Sequence, residues 1–285
     1  MPDLATKVAQ EQVPHAWKAG WQTVNLRNQL LAMRDGGVFV MHVPSAPYRC
    51  PPGPYERACQ IANYFKAYKP KSKVIVLDAN PEIVSKKSLF TKAFNEMYAG
   101  IIDYRASSAL VRLDLANKTV HTEFESVKAD VLNIIPPQLA GKPAQMVRVN
   151  NEKVNLNNID KRWCEVDFLT YESVLAPNIH IIGDSVSAAL PKSAHIATSQ
   201  AHVCASAIVE LMHHRPPDPT PVFANTCYSF VDASFAMHVA NVYRYDEEKK
   251  MMLPAEGGGV SPNPSQLEGQ HASAWATNIW SDVLT

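Results

Sequence analysis

Charge of one sign is the first thing this sequence lacks. Across 285 residues Lys and Arg total 27, and Asp and Glu total 27, so no net field favours nucleic acid or an anionic membrane surface. No apolar run approaches the roughly 18 residues that a bilayer span needs. The first twelve residues are polar, without the apolar segment of a signal peptide, so neither a membrane span nor an export address is expected. The five cysteines, Cys50, Cys59, Cys164, Cys204 and Cys227, are too few and too dispersed for a disulfide scaffold. None forms a C-x-x-C knuckle, and one pair plus spares is the most they allow. Ten histidines invite a metal, but the best group is His202 with His213 and His214. Adjacent histidines on a helix point about 100° apart and chelate poorly together, so no metal site is expected. Also lacking is a G-x-G-x-x-G loop: the one glycine cluster, Gly257-Gly258-Gly259, lies far from any strand-to-helix turn.

What stands where such a loop would be is more informative. Residues 37–43 read as a buried strand and residues 55–68 as an amphipathic helix. Between them runs Arg49-Cys50-Pro51-Pro52-Gly53-Pro54. A dinucleotide pyrophosphate needs close backbone N–H groups, whereas three prolines remove donors and fix φ. The crossover therefore reads as a Rossmann unit that has exchanged its nucleotide for a thiol, and it is not expected to bind NAD. A cysteine ahead of a helix N-terminus, with Arg49 and Arg57 near in sequence, is placed for a lowered thiol pKa and a reactive thiolate. A structural, buried cysteine after a strand is the other reading.

The chain alternates strand and helix from 36 to 141. Lys73–Asp78 is a second β-rich run, and Asp78 stands where a ribose-binding acid would; without the glycine loop it reads as a relic or a helix cap. Short strands follow at 101–104, 109–113 and 119–124. The continuous apolar run 129–135 suits a central parallel strand leading to a functional edge at Pro136-Pro137-Gln138. Residues 148–162 are a polar excursion. A buried strand at 177–182 then delivers Gly183-Asp184 ahead of a helix over 199–213, an arrangement that suits a flavin ribityl chain and a pyrophosphate, although Gly-Asp after a strand is also common in turns. The expected class is α/β: a Rossmann-like, NAD-type domain at 36–141, parts of an FAD-binding domain at 1–35 and 142–215, and a C-terminal α+β interface domain at 216–285.

The blocks Pro14-His15-Ala16-Trp17-Lys18-Ala19-Gly20, Arg49-Cys50-Pro51-Pro52-Gly53-Pro54-Tyr55-Glu56-Arg57-Ala58 and Ile134-Ile135-Pro136-Pro137-Gln138 share one pattern with those further on. These are Ile182-Gly183-Asp184, Pro191-Lys192-Ser193, Ser199-Gln200, Asn225-Thr226-Cys227-Tyr228-Ser229 and Gly257-Gly258-Gly259-Val260. Together they resemble the flavoprotein subunit of flavocytochrome c sulfide dehydrogenase, among the disulfide-oxidoreductase-like flavoproteins that include sulfide:quinone reductases. The resemblance implies that Cys50 and Cys227 are a redox-active pair beside FAD, that sulfide is the substrate, and that a c-type cytochrome subunit takes the electrons. It implies that Glu56 is an acidic residue near the flavin, either a proton acceptor or a carboxylate stabilised by the helix dipole. Trp275 is implied beside the isoalloxazine, or as a C-terminal core anchor. Gly183, Asp184, Pro191, Lys192 and Ser193 match the flavin-holding segment, while Cys59, Cys164 and Cys204 read as structural. The family is normally exported, which implies a periplasmic location.

Family members open with a strand, a G-x-G-x-x-G loop, an acid on the second strand and a cysteine that holds the flavin covalently, none of which this sequence contains. Three readings follow: a piece of a longer enzyme, a protein without tightly held flavin, or a site completed by another chain. With one of two pyrophosphate-facing elements, the chain is expected to hold flavin weakly or not at all. An unpaired sheet edge near Ile179 to Ile182 is expected to favour a homodimer. A flavin-free binding module is the alternative to an enzyme.

Overall fold

Val38–Val43 (β1) is an apolar run with no alternation, and it forms because both its faces are covered. In the computed structural model, which describes residues 4, 6–157 and 162–284, β1 pairs in parallel with Lys73–Asp78 (β2) and Val131–Ile134 (β7). Ile102–Arg105 (β3) joins β2, giving the order β3-β2-β1-β7. The run expected as a central strand, β7, is therefore the last strand of this sheet. It is buried all the same, because N-terminal residues Leu4, Ala9 and Val13 pack into the core beside it.

Two helices precede β1, Lys7–Gln12 (α1) and Trp21–Ala32 (α2). Gly53–Tyr68 (α3) crosses from β1 to β2, with Tyr55, Ala58, Cys59, Ile61, Ala62 and Phe65 buried along one stripe. Pro54 sits in its first turn, where a missing N–H costs nothing, and Glu56 faces the positive end of the dipole. A short helix at Lys87–Lys92 (α4) runs into a π-turn at Ala93–Met97. Of these, α2, α3, α4 and the π-turn cover one face of the sheet. The other face packs against an antiparallel trio, Leu110–Asp114 (β4), Thr119–Thr122 (β5) and Ser126–Lys128 (β6). Asp78 caps no helix: fully buried, its carboxylate accepts from Tyr55 Oη at 2.7 Å, Tyr104 Oη at 2.9 Å and the Asn80 backbone at 2.9 Å.

Beyond this layered unit come two small hairpins, Val147–Val149 (β8) with Glu152–Val154 (β9), and Glu172–Ser173 (β10) with Ala176–His180 (β11). Residues 158–161 of the expected polar excursion lie outside the described residues. The strand expected to be buried before Gly183-Asp184 is this second hairpin, with Pro177, Asn178 and Ile179 exposed. Ile182 is exposed too, so no second face presses on this segment. The helix that follows, Ala194–Met212 (α5), begins earlier than expected because Ser193 caps it, its hydroxyl accepting from the Ile196 N–H. Val222–Phe230 (β12), Ala236–Asp246 (β13) and Met251–Val260 (β14) form an antiparallel sheet, and Gln266–Leu284 (α6) ends the described chain. The glycine cluster lies at a bulge in β14, where Glu256 and Gly257 are the extra residues between the Asn241–Gly258 and Val242–Ala255 pairs; a Cβ on Gly258 would sit 2.2 Å from the Ala240 carbonyl oxygen, so the close strand approach requires glycine.

Candidate active site

The parallel strands deliver their loops to one edge. The loop after β1 carries Cys50, and the segment after β7 carries Pro136 and Gln138. Ligand sites of α/β sheets form at such carboxyl ends, where neighbouring strands send their chains apart. Cys50 takes φ +58°, a strained left-handed backbone that costs on the order of 1–3 kcal/mol in a residue other than glycine. It is held there from both sides: its N–H donates to Lys192 O at 2.8 Å and its carbonyl accepts from Gly53 N at 2.8 Å.

Cys227 arrives from β12, and side chains of the parallel-sheet unit fasten that strand in place. Glu56 Oε1 accepts from Phe230 N at 2.8 Å, and Gln60 Nε2 donates to Phe230 O and Asp232 O at 3.2 and 2.9 Å. Tyr98 Oη donates to Val231 O at 2.5 Å and Lys86 Nζ to Cys227 O at 2.9 Å. Val231 and Met237 complete the seam as members of the main core.

A cavity of about 560 Å³ results, with Cys50, Cys227, Glu56, Asp184, Lys192, Ser193 and Trp275 in its wall. Gly183 and Pro191 lie just behind it, beside Lys192. Trp275 stands edge-on to His195 at 5.7 Å and tilted to Tyr228 at 6.2 Å. A second cavity of about 660 Å³ lies on the other side of Cys227; Pro52 and Lys192 are common to both, whereas Lys86 borders only the second and Cys50 only the first. A third, of about 250 Å³, shares Arg49 and Asp184 with the first and includes His15, Trp17 and Gln138. All nine site residues expected from the sequence thus fall in one region, and both cysteines are thiols here.

The electrostatics differ from expectation at Cys50. The residue is exposed at the cavity rim, but protein crowds its sulfur, and this desolvation pushes the thiol up to about 11. Negative charge on Glu56 and Cys227 acts in the same direction; Lys86 and the Gly53 N–H oppose it. Arg57, expected to lower it, is committed elsewhere: its guanidinium donates to His15 O, Ala16 O and Asn133 Oδ1 and lies 4.7 Å over Trp17. Burial raises the Glu56 carboxyl, opposed by the Phe230 N–H and by Lys86 and Arg57. Asp184 is raised by burial against the pull of Arg49 and Lys192, with Arg49 Nε at 4.0 Å. Burial lowers His195, whose Nδ1 accepts from Thr226 N at 3.0 Å.

Lys86 and His195 escape the sequence reading. Lys86 is one lysine among several polar residues before a short helix, and nothing in its neighbours marks it. The position of His195 two residues after Ser193 becomes informative only once Ser193 is recognised as a cap.

The site suits a flavin. Ala194, Ala197, Ala272 and Ala276 leave flat room beside Trp275 in the first cavity. Toward the third, Gln138 presents a buried amide nitrogen with no hydrogen-bond partner among the described residues. A buried donor of this kind is one that a bound ligand or an ordered water can satisfy.

Two family models match this chain. Residues 23–136 match the central part of the sulfide dehydrogenase [flavocytochrome c] flavoprotein chain, and residues 219–284 match the flavin-binding part of flavocytochrome c sulphide dehydrogenase. Among solved structures, a chain of the Tetrahymena thermophila mitochondrial ATP synthase tetramer is similar at TM-score 0.57 and 13% identity, over 80% of this chain and 55% of that one. The HOCl-induced flavoprotein disulfide reductase RclA from Escherichia coli, as its Cu(II) complex, is similar at TM-score 0.50 and 13% identity, over 89% of this chain and 59% of that one. This chain thus spans less than two thirds of the length of either, and at such identities the likeness is one of fold.

Proposed function

Because this chain belongs to the flavocytochrome c sulfide dehydrogenase flavoprotein family, we propose that it oxidises sulfide with FAD, using Cys50 and Cys227 as a redox-active pair. The observation that carries this reading is that two cysteines far apart in sequence line one cavity with Glu56 and Trp275. A disulfide requires Cα atoms roughly 4.4–6.8 Å apart, and the seam between β12 and α3 is what brings these two elements together.

The residues divide the work. Cys227 borders both large cavities and Cys50 only the one with Trp275, so a hydrosulfide ion entering from the other side meets Cys227. Its attack on the oxidised pair forms a sulfur–sulfur bond to Cys227 and breaks the Cys50–Cys227 bond. Cys227 becomes a persulfide, and Cys50 departs as a thiolate on the flavin side. Glu56, its carboxyl raised by burial, takes the proton that the attacking sulfur releases. Gly183, Asp184, Pro191, Lys192 and Ser193 hold the flavin, and Trp275 shapes the wall against its ring. When bound, FAD supplies the two-electron acceptor that passes electrons singly to the haem of a c-type cytochrome subunit. The family's habit of export makes the periplasm the expected compartment; among the described residues no helix is long and apolar enough to cross a membrane.

Peptide mapping of the non-reduced protein after mild oxidation tests the pair. The expected product links Cys50 to Cys227 and leaves Cys59, Cys164 and Cys204 as thiols, and anaerobic sulfide then adds one sulfur atom to Cys227. A bond from Cys50 to another cysteine, or two unpaired thiols after oxidation, would remove the mechanism. A flavin-free binding module would in addition emerge colourless from gel filtration after incubation with FAD.

A further inference from the structure

Among the described residues three lysines are buried, Lys69, Lys86 and Lys192, and an ammonium out of water is costly unless its donors are used. Lys69 spends all three, on Leu30 O, Leu31 O and Met33 O. Lys192 donates to Asp184 O at 2.7 Å and Val186 O at 2.8 Å and lies 3.7 Å over the Trp163 ring. Lys86 differs. Among the described residues its Nζ has one hydrogen-bond partner, Cys227 O at 2.9 Å, and no carboxylate reaches ion-pairing distance. Its backbone is held left-handed at φ +52°, a strained conformation in a residue other than glycine. Its side chain lines the 660 Å³ cavity beside Cys227, so its two spare donors belong to that space.

We propose that Lys86 is the anion-receiving residue of this cavity: it holds the incoming sulfur anion against Cys227 and neutralises the persulfide anion that forms there. The cation and its position follow from geometry, and only the identity of the anion rests on the sulfide-oxidising reading. A buried ammonium with one neutral acceptor is stabilised by a negative charge that arrives with the substrate. Because Lys86 is tied to the Cys227 carbonyl, the charge is fixed to the residue that carries the reacting sulfur. Nothing need reorganise when the sulfur–sulfur bond forms.

The test uses the reduced full chain and two alkylating reagents of similar size, anionic iodoacetate and neutral iodoacetamide, with modification of Cys227 read by peptide mass. Both reagents meet the same thiolate fraction, so the ratio of their rates reports the charge in the cavity rather than the reactivity of the thiol. Lys86→Gln should lower the iodoacetate-to-iodoacetamide ratio about tenfold, the effect of one partly screened charge a few ångströms away, and Lys86→Arg should retain it. Burial brings Lys86 down to about 8, so in the unaltered chain the ratio should fall as pH rises through that value. The other titratable groups facing Lys86 are Glu56 on α3, Cys50 before it and Cys227 on β12, with Tyr48, Lys192 and Tyr243 across the cavity. A ratio unmoved in a folded Lys86→Gln variant overturns the proposal. If that variant does not fold, a flat ratio in the unaltered chain, from about one pH unit below to one above this value, does the same. A ratio that responds while oxidation never joins Cys50 to Cys227 keeps the anion site and removes the sulfide reading; a joined pair with an unmoved ratio does the reverse.

Discussion

Gly53→Ala sets helix propensity against packing at the thiol, and the structure indicates that packing wins. The glycine opens α3 and has no unusual φ, so propensity alone favours alanine by up to about 1 kcal/mol. Its Cβ, however, would lie 2.9 Å from Cys50 Sγ, 2.9 Å from Trp17 Cη2 and 3.1 Å from Trp17 Cζ2. Comfortable contact begins near 3.5 Å, so each neighbour must retreat by roughly half an ångström. Neither is free to do so. Trp17 Nε1 donates to Arg49 O at 3.0 Å under the Arg57 guanidinium, and Cys50 is pinned through its own N–H and carbonyl. Overpacking of this kind costs about 1–3 kcal/mol, leaving a net loss of up to about 2 kcal/mol after the full propensity gain. Urea titration should show a lower midpoint at unchanged slope, and the displaced sulfur should join Cys227 more slowly on oxidation. An alanine variant at least as stable as the parent would refute the reasoning, and would mean that the loop yields where the contacts show it fixed.

The cysteine loop could be read from sequence because strand, loop and helix are contiguous there, and three prolines with a glycine constrain one short stretch. The nature of the thiol could not. Sequence proximity to Arg49 and Arg57 pointed to a lowered pKa, but α3 turns Arg57 toward His15 and Asn133, and burial decides the sign. Strand order was hidden for a similar reason: an apolar run such as 131–134 records burial on both faces, and an N-terminal segment covers an end strand as well as a neighbouring strand would. The hairpin before Gly183-Asp184 shows the opposite failure, since Ile179 and Ile182 look like core residues and are exposed. The Cys50–Cys227 juxtaposition rests on contacts from Glu56, Gln60, Lys86 and Tyr98 to β12, which no local pattern encodes. Only the resemblance of the two cysteine blocks to one family pointed to it.

Two further outcomes follow from buried charge. Arg57→Lys should cost about 2–3 kcal/mol in urea titration, because a single ammonium cannot span His15 O, Ala16 O and Asn133 Oδ1; protease should then cut faster around residues 13–20, and an unchanged midpoint would count against the clasp. The last concerns His42, buried in β1, its Nε2 accepting from Leu110 N at 3.2 Å. Burial lowers this imidazole from its ordinary 6.5 to about 4, so the folded chain resists a proton that the unfolded chain accepts. The contribution to stability is complete above about 6.5 and is lost as pH falls toward 4. A shift of this size corresponds to roughly 3 kcal/mol. His42→Gln, whose amide oxygen reaches the position of Nε2, retains an acceptor for Leu110 but does not titrate, so its stability should fall less than that of the parent across this window, by about that amount. Parallel pH profiles for the two proteins would show that the imidazole is not held neutral, and that acid acts on the fold through its carboxylates instead.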